Sequence, residues 1–133
     1  MIDASALIKY LFKEPGYEAI ERYLITGVCS VDHLVKEASN AIWKHAVLHK
    51  RISKKDARDL YVALSKLIEG RVIVIEPQER YTHQAFEIAL NHEITIYDAL
   101  YIAQSKTNHT KLITSDRKQA NIARELGVTV QLV

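Results

Sequence analysis

The sequence predicts an α/β sandwich built on a mainly parallel sheet, and three observations carry that prediction. Four short β-branched runs, 28–31, 71–75, 111–114 and 128–133, read as buried strands by composition, length and flanking residues. Between them apolar residues recur with a period near 3.6, as expected of helices with one buried face. Strands and helices alternate along the whole chain, which favours a parallel sheet.

The elements follow in order. Met1-Ile2 is a fifth strand candidate, running directly into Asp3. Ala6, Leu7, Tyr10 and Leu11 form one helical face, ended by Pro15-Gly16. A second helix from about Tyr17 carries Ile20, Tyr23 and Leu24 and closes at Gly27. Residues 32–50 predict a longer helix with Leu34, Ala38, Ala41, Ile42, Ala46 and Val47 inward. Ser53 is the expected N-cap of the next helix, with Leu60, Ala63, Leu64, Leu67 and Ile68 facing the core and Gly70 as its stop. Further helices are predicted over about 78–92, 97–108 and 117–126.

The chain of 133 residues has 48% hydrophobic and 26% charged residues, which excludes disorder and fibrous repeats. Composition does not shift along it, so residues 1–133 read as a single domain. One cysteine, Cys29, excludes an intrachain disulfide and fits a reducing, cytoplasmic setting. No apolar stretch approaches the ~18 residues of a membrane span. A net charge of +2 selects no partner, so the placement of charge has to decide.

Asp3 follows the N-terminal run and opens a helix; Asp116 follows 111–115 and opens another. Aspartate at such a junction commonly caps the helix, accepting a backbone N–H and offsetting the dipole. Asp98 is the only charged residue in Ile96-Tyr97-Asp98-Ala99-Leu100-Tyr101-Ile102-Ala103, and a carboxylate on an apolar face needs a partner or a metal. Glu37, in Leu34-Val35-Lys36-Glu37-Ala38-Ser39-Asn40-Ala41, reads alone as a solvated helix residue.

Taken together, Ile2-Asp3-Ala4-Ser5-Ala6-Leu7, Glu37-Ala38-Ser39-Asn40-Ala41, Tyr97-Asp98-Ala99-Leu100-Tyr101 and Ile113-Thr114-Ser115-Asp116 resemble a PIN domain over essentially the whole chain. The resemblance is greatest to the VapC-type toxins of bacterial and archaeal toxin–antitoxin pairs. It implies a three-layer sandwich, a five-stranded sheet in the order 3-2-1-4-5 with helices on both faces, and a metal-dependent endoribonuclease. By the same resemblance Asp3, Glu37, Asp98 and Asp116 are the catalytic and metal-holding acids, supported by Ser5, Asn40 and Thr114. An RNA substrate, a small VapB-like antitoxin and a homodimer are the implied partners.

An all-oxygen donor set suits Mg²⁺ or Mn²⁺ rather than zinc. Without a cation, four gathered carboxylates would repel one another and some would stay protonated. Lys9, Arg117 and Lys118, each close in sequence to a proposed ligand, are the candidate phosphate contacts. A second basic group, Lys44, Lys50, Arg51, Lys54, Lys55 and Arg58, reads first as a solvated helix end. His45 and His49 have the i, i+4 spacing of metal ligands but lack a third, and Trp43 and the seven tyrosines read as core or interface.

A haloacid-dehalogenase-like phosphatase would need an acid where Ser5 stands, and a phosphoacceptor receiver would need Asp where the chain has Glu76-Pro77. A PIN nuclease of RNA processing or quality control, or a catalytically silent PIN-like binding module, are the remaining alternatives. Only two residues precede Asp3, short for a central strand, so a few N-terminal residues are expected to be missing.

Overall fold

A computed structural model describes residues 1–133. Seven α-helices and four strands alternate: α1 (Ala4–Leu11), α2 (Glu18–Thr26), β1 (Val28–Val31), α3 (His33–Trp43), α4 (Lys54–Glu69), β2 (Ile73–Glu76), α5 (Thr82–His92), α6 (Ile96–Thr107), β3 (Leu112–Thr114), α7 (Arg117–Glu125) and β4 (Val130–Leu132). Helices α1 to α4 pack on one another, as do α5 to α7; the strands contact both groups, through α1 and α4 on one side and α6 and α7 on the other.

The strands pair as two parallel two-stranded sheets rather than one continuous five-stranded sheet. β1 pairs with β2 in the register Val28↔Ile73 to Val31↔Glu76. β3 pairs with β4, Leu112 opposite Val130 and Thr114 opposite Leu132. Between the pairs lies Ile2, an isolated parallel bridge to Ile113. Its N–H donates to Cys29 O at 3.0 Å, its carbonyl accepts from the Ser30 hydroxyl at 2.7 Å, and the next amide, Asp3, donates to Ile113 O at 3.1 Å. The N-terminal segment thus satisfies its backbone groups on both sides, but it is too short to make a ladder.

Ile2, Leu7, Ile20, Leu34, Leu64, Ile73, Ile102 and Leu112 are fully buried and join one core. Each such side chain stabilises the fold by about 1.5–3 kcal/mol relative to exposure. α4 opens with the expected Ser53 cap, completed by Asp56 as a reciprocal capping box.

Three local departures from the sequence reading have physical causes. The helix expected over 32–50 ends its α-geometry at Trp43 and continues as one π-helical turn, Lys44–Leu48. β2 lies further along than the 71–75 run, because Arg71 turns left-handed and Glu76 completes the ladder. Gly70 ends α4 at φ −74°, so the residue after it makes the reversal. Arg71 is one of five non-glycine residues with positive φ, with Lys13, Lys50, Glu93 and His109, all at 50–56° and all just past the last turn of a helical segment.

Candidate active site

The β3 end and the N-terminal bridge bring two predicted acids to one place. Asp3 is 2% exposed and caps α1, accepting from the Ala6 amide at 2.9 Å. The Ser5 hydroxyl faces both its carboxylate oxygens at 2.9 Å, and the Thr114 hydroxyl approaches Oδ2 at 2.6 Å. Thr114 Oγ1 also accepts from the Asp116 amide at 2.9 Å, so one hydroxyl ties the two aspartates. Asp116 in turn caps α7, accepting from Gln119 N at 2.9 Å. The capping roles read from the sequence are therefore real, and they also fix where the carboxylates stand.

Burial pushes the Asp3 carboxyl up to about 7, against the hydrogen bonds from Thr114, Ala6 and Ser5 that favour its charge; the negative charge of Glu37 adds to the rise. The hydrogen bonding is consistent with a protonated acid. Thr114 has one hydroxyl proton and three oxygens in reach, Asp3 Oδ2 at 2.6 Å, Gln119 Oε1 at 2.9 Å and Ser5 Oγ at 3.2 Å. A proton on Asp3 lets it donate to Thr114 while Thr114 donates to Gln119.

Asp98 sits in the first turn of α6, only partly buried, which corrects its expected place on an apolar face. Thr95 is the N-cap: its oxygen accepts from the Asp98 amide at 3.2 Å and its hydroxyl donates to Asp98 Oδ2 at 2.8 Å. Gln119, 2% exposed, reaches from α7 to donate to the Asp98 carbonyl at 3.0 Å. Glu37, half-buried on α3, accepts from the Tyr101 hydroxyl and lies 3.6 Å from His33 Nε2. Tyr101 is 1% exposed, and burial, then the charges of Glu37, Asp3 and Asp98, hold its hydroxyl far above the usual phenol range.

Tyr101 and Gln119 are the site residues that sequence reasoning passed over. Tyr101 stands one turn after Asp98, on the buried side of α6, and its hydroxyl needs a buried partner. Gln119 follows Asp116 by three residues, and its buried side chain turns inward to Thr114 and the Asp98 carbonyl.

No three of the His, Cys, Asp and Glu side chains converge closely enough to form a metal-holding group. The donor set nevertheless fits a hard cation. Glu37, Asp98 and Asp116 each have one carboxylate oxygen in a protein hydrogen bond and the other (Oε1, Oδ1 and Oδ2) without a protein donor. A positive charge beside Asp3 would also offset the burial that holds its carboxyl up and the smaller repulsion from Glu37.

The supporting and substrate candidates divide. Ser5 and Thr114 join the Asp3 network; Asn40 is exposed on α3, one turn after Glu37. Lys9 lies apart, its ammonium beside Gly16 beyond the far end of α1. Lys118 donates to the Glu93 carbonyl at 2.9 Å, and Arg117 is exposed at the start of α7. His45 packs on Phe12 at 4.2 Å between ring centroids and meets His49 edge-on at 5.8 Å, an aromatic arrangement rather than a ligand pair.

The α/β fold thus sets carboxylates at a bridge end, at a strand end and on two helices joined by the Tyr101–Glu37 contact, which defines the class as an α/β protein with an acidic site at its strand ends. The PIN domain family profile matches residues 1–125, and the chain belongs to the PIN domain family. It is similar to ribonuclease VapC3 of Pyrobaculum aerophilum, 28% identical over 122 residues that span 90% of this chain and 91% of the relative. Ribonuclease VapC1 of Mycobacterium tuberculosis is 30% identical over 121 residues, 90% of this chain and 87% of that protein. The crystal structure of PAE2754 from Pyrobaculum aerophilum has the same fold, with a TM-score of 0.70 at 21% identity, over 97% of this chain and 86% of that one.

Proposed function

We propose that this chain is a metal-dependent endoribonuclease, the toxin of a toxin–antitoxin pair, with Asp3, Glu37, Asp98 and Asp116 as its catalytic and metal-holding acids. The observation that carries the reading is the run of contacts Glu37–Tyr101, Asp3–Thr114–Asp116 and Gln119–Asp98, which links all four acid-bearing segments. The names of the two ribonuclease relatives support the same activity. Mg²⁺ or Mn²⁺ is the fitting ion; when bound it supplies charge that stabilises the pentavalent phosphorus transition state and makes an attacking water more acidic. Ser5 and Thr114 orient Asp3, Tyr101 orients Glu37, and of Lys9, Arg117 and Lys118 it is Arg117 that is left free to meet a substrate phosphate.

Counting Met1–Asp3 as the first strand gives the order 3-2-1-4-5, and we read residues 1–133 as one PIN domain because β4, past residue 125, still pairs with β3. A protein partner, antitoxin or second copy, is supported by an apolar groove of about 520 Å³ between α3 and α4, lined by Ile42, Trp43, Ala46, Val47, Tyr61 and Val62. No helix is long and apolar enough to cross a membrane.

The test is cleavage of a mixed cellular RNA pool with Mg²⁺ or Mn²⁺, with EDTA, and by the Asp98→Asn protein. Cleavage by the unmodified protein alone, and only with metal, is expected. EDTA-resistant cutting, or equal cutting by Asp98→Asn, overturns the assignment.

A further inference from the structure

Tyr97 stands out among the tyrosines because it is 53% exposed and yet held in a fixed arrangement. Its ring lies parallel to that of His33, with centroids 4.7 Å apart and planes within 6°. The His33 side chain is only 14% exposed, so the histidine forms the inner layer and the tyrosine the outer one. One face of the pair is covered and one face of Tyr97 is open to solvent. An aromatic ring fixed from behind and bare in front is a ready stacking surface.

Its position is equally specific. Tyr97 immediately precedes Asp98 on α6, and His33 lies one turn before Glu37 on α3, 3.6 Å from its carboxylate. The stacked pair thus joins the two helices at the edge of the acidic site. Beside it opens a cavity of about 450 Å³ lined by His33, Lys36, Glu37, Asn40, Lys44 and Tyr97, a size that suits a small ligand such as one nucleotide unit. Lys36 and Lys44 form no ion pair, and the Asn40 amide makes no hydrogen bond. Two uncommitted cations and one free amide beside an aromatic face match phosphate, base edge and base plane respectively.

We propose that Tyr97, backed by His33, is a base-stacking platform that seats the nucleotide next to the cleaved bond of a single-stranded RNA, with Lys36 and Lys44 on the flanking phosphates. This rests on the nuclease reading of the adjoining acids. A duplex cannot offer an unstacked base to such a face, so the platform selects single-stranded or looped substrate. Stacking accepts any base, so it fixes register rather than sequence.

The test uses single-stranded RNA oligonucleotides carrying 2-aminopurine, whose fluorescence falls when it stacks on an aromatic ring, titrated with the full chain in low-salt buffer with EDTA. Quenching by the unmodified protein and by Tyr97→Phe is expected, with affinities within about 2-fold. Tyr97→Ala should lose the quenching and bind about 10-fold or more weakly, while melting close to the unmodified protein because the ring is exposed. In metal-supported cleavage the same variant should raise KM with a smaller change in kcat.

Unchanged quenching and affinity in Tyr97→Ala, or no quenching by the unmodified protein, overturns the platform. The two readings fail separately. EDTA-sensitive cleavage that Asp98→Asn abolishes, without quenching, removes the platform and keeps the nuclease. Tyr97-dependent quenching without such cleavage keeps the platform and removes the nuclease.

Discussion

The Tyr101 hydroxyl donates to Glu37, tying α6 to α3 across 64 residues of sequence. It is the one direct side-chain hydrogen bond between the helix that bears Asp98 and the helix that bears Glu37. Tyr101→Phe keeps the ring in the core and removes only this donor. A hydrogen bond to a charged group at a half-exposed site contributes about 1–2 kcal/mol, and denaturant melts should show a loss of that order. RNA cleavage should fall well below that of a Tyr61→Phe control, whose ring is exposed. Equal activity in the two variants would mean that Glu37 does not need to be held.

Asp3 makes stability depend on pH in a direction opposite to most carboxylates. Its folded value near 7 lies above the usual 3.8, so the native state holds the proton more tightly than the unfolded chain. Its contribution is fully present below about pH 4 and is lost as pH rises through 7. The span is at most roughly 4 kcal/mol. In EDTA, stability should decline between pH 4 and 8, and Asp3→Asn should flatten that decline. A slope unchanged by the substitution would show that Asp3 is not the group that titrates.

Metal should act on the same proton. Mg²⁺ or Mn²⁺ binding only the native state raises the melting temperature by mass action. Loading near pH 6 should release protons, because Asp3 must ionise to serve as a ligand. Calorimetry in buffers of different ionisation enthalpy reads that release directly. Asp98→Asn should lose most of the thermal shift; retention of the full shift would put the ion elsewhere.

Glu76, at the end of β2, behaves as the mirror case. Its Oε2 accepts from Tyr81, from Gln104 Nε2 at 2.8 Å and from Asn108 Nδ2 at 3.0 Å, and these donors hold its carboxyl below the ordinary value, Tyr81 most strongly. The resulting stabilisation is present above the unfolded pKa near 4.5 and is lost as pH falls through the folded value. Glu76→Gln should therefore destabilise at pH 7, with the gap to the unmodified protein narrowing below pH 4. A constant gap across that range would assign the loss to packing.

Much of this was readable in advance because local signals and burial agree. Ser53 and Asp116 open helices where their side chains predict, and the 28–31 and 111–114 runs lie within a residue of β1 and β3. Boundaries drifted where tertiary pairing overrode composition, as when Glu76 entered β2 and Arg71 left it. Asp98 reads in sequence as a lone acid among apolar residues, and Thr95, the cap of its helix, supplies the polar partner that reading requires. Tyr101, Gln119 and the Tyr97–His33 stack depend on contacts between separate helices, which no single segment encodes. The resemblance pointed to the acids and to Ser5 and Thr114 beside Asp3, whereas Tyr101 and Gln119 emerged only from the packing.

The five left-handed residues past helix ends carry a consequence for engineering. A side chain in that conformation costs about 1–2 kcal/mol that glycine would not incur, though glycine returns part of this through a looser unfolded chain. Four of the five, Lys13, Lys50, Arg71 and His109, are basic or can become so, and they stand where helix dipoles favour positive charge. The chain therefore carries an unclaimed margin of heat tolerance at positions outside its chemistry. Glu93→Gly would draw on that margin without giving up a favourable charge, since Glu93 is the one acid among the five, turning an ordinary helix ending into a route to a hardier scaffold.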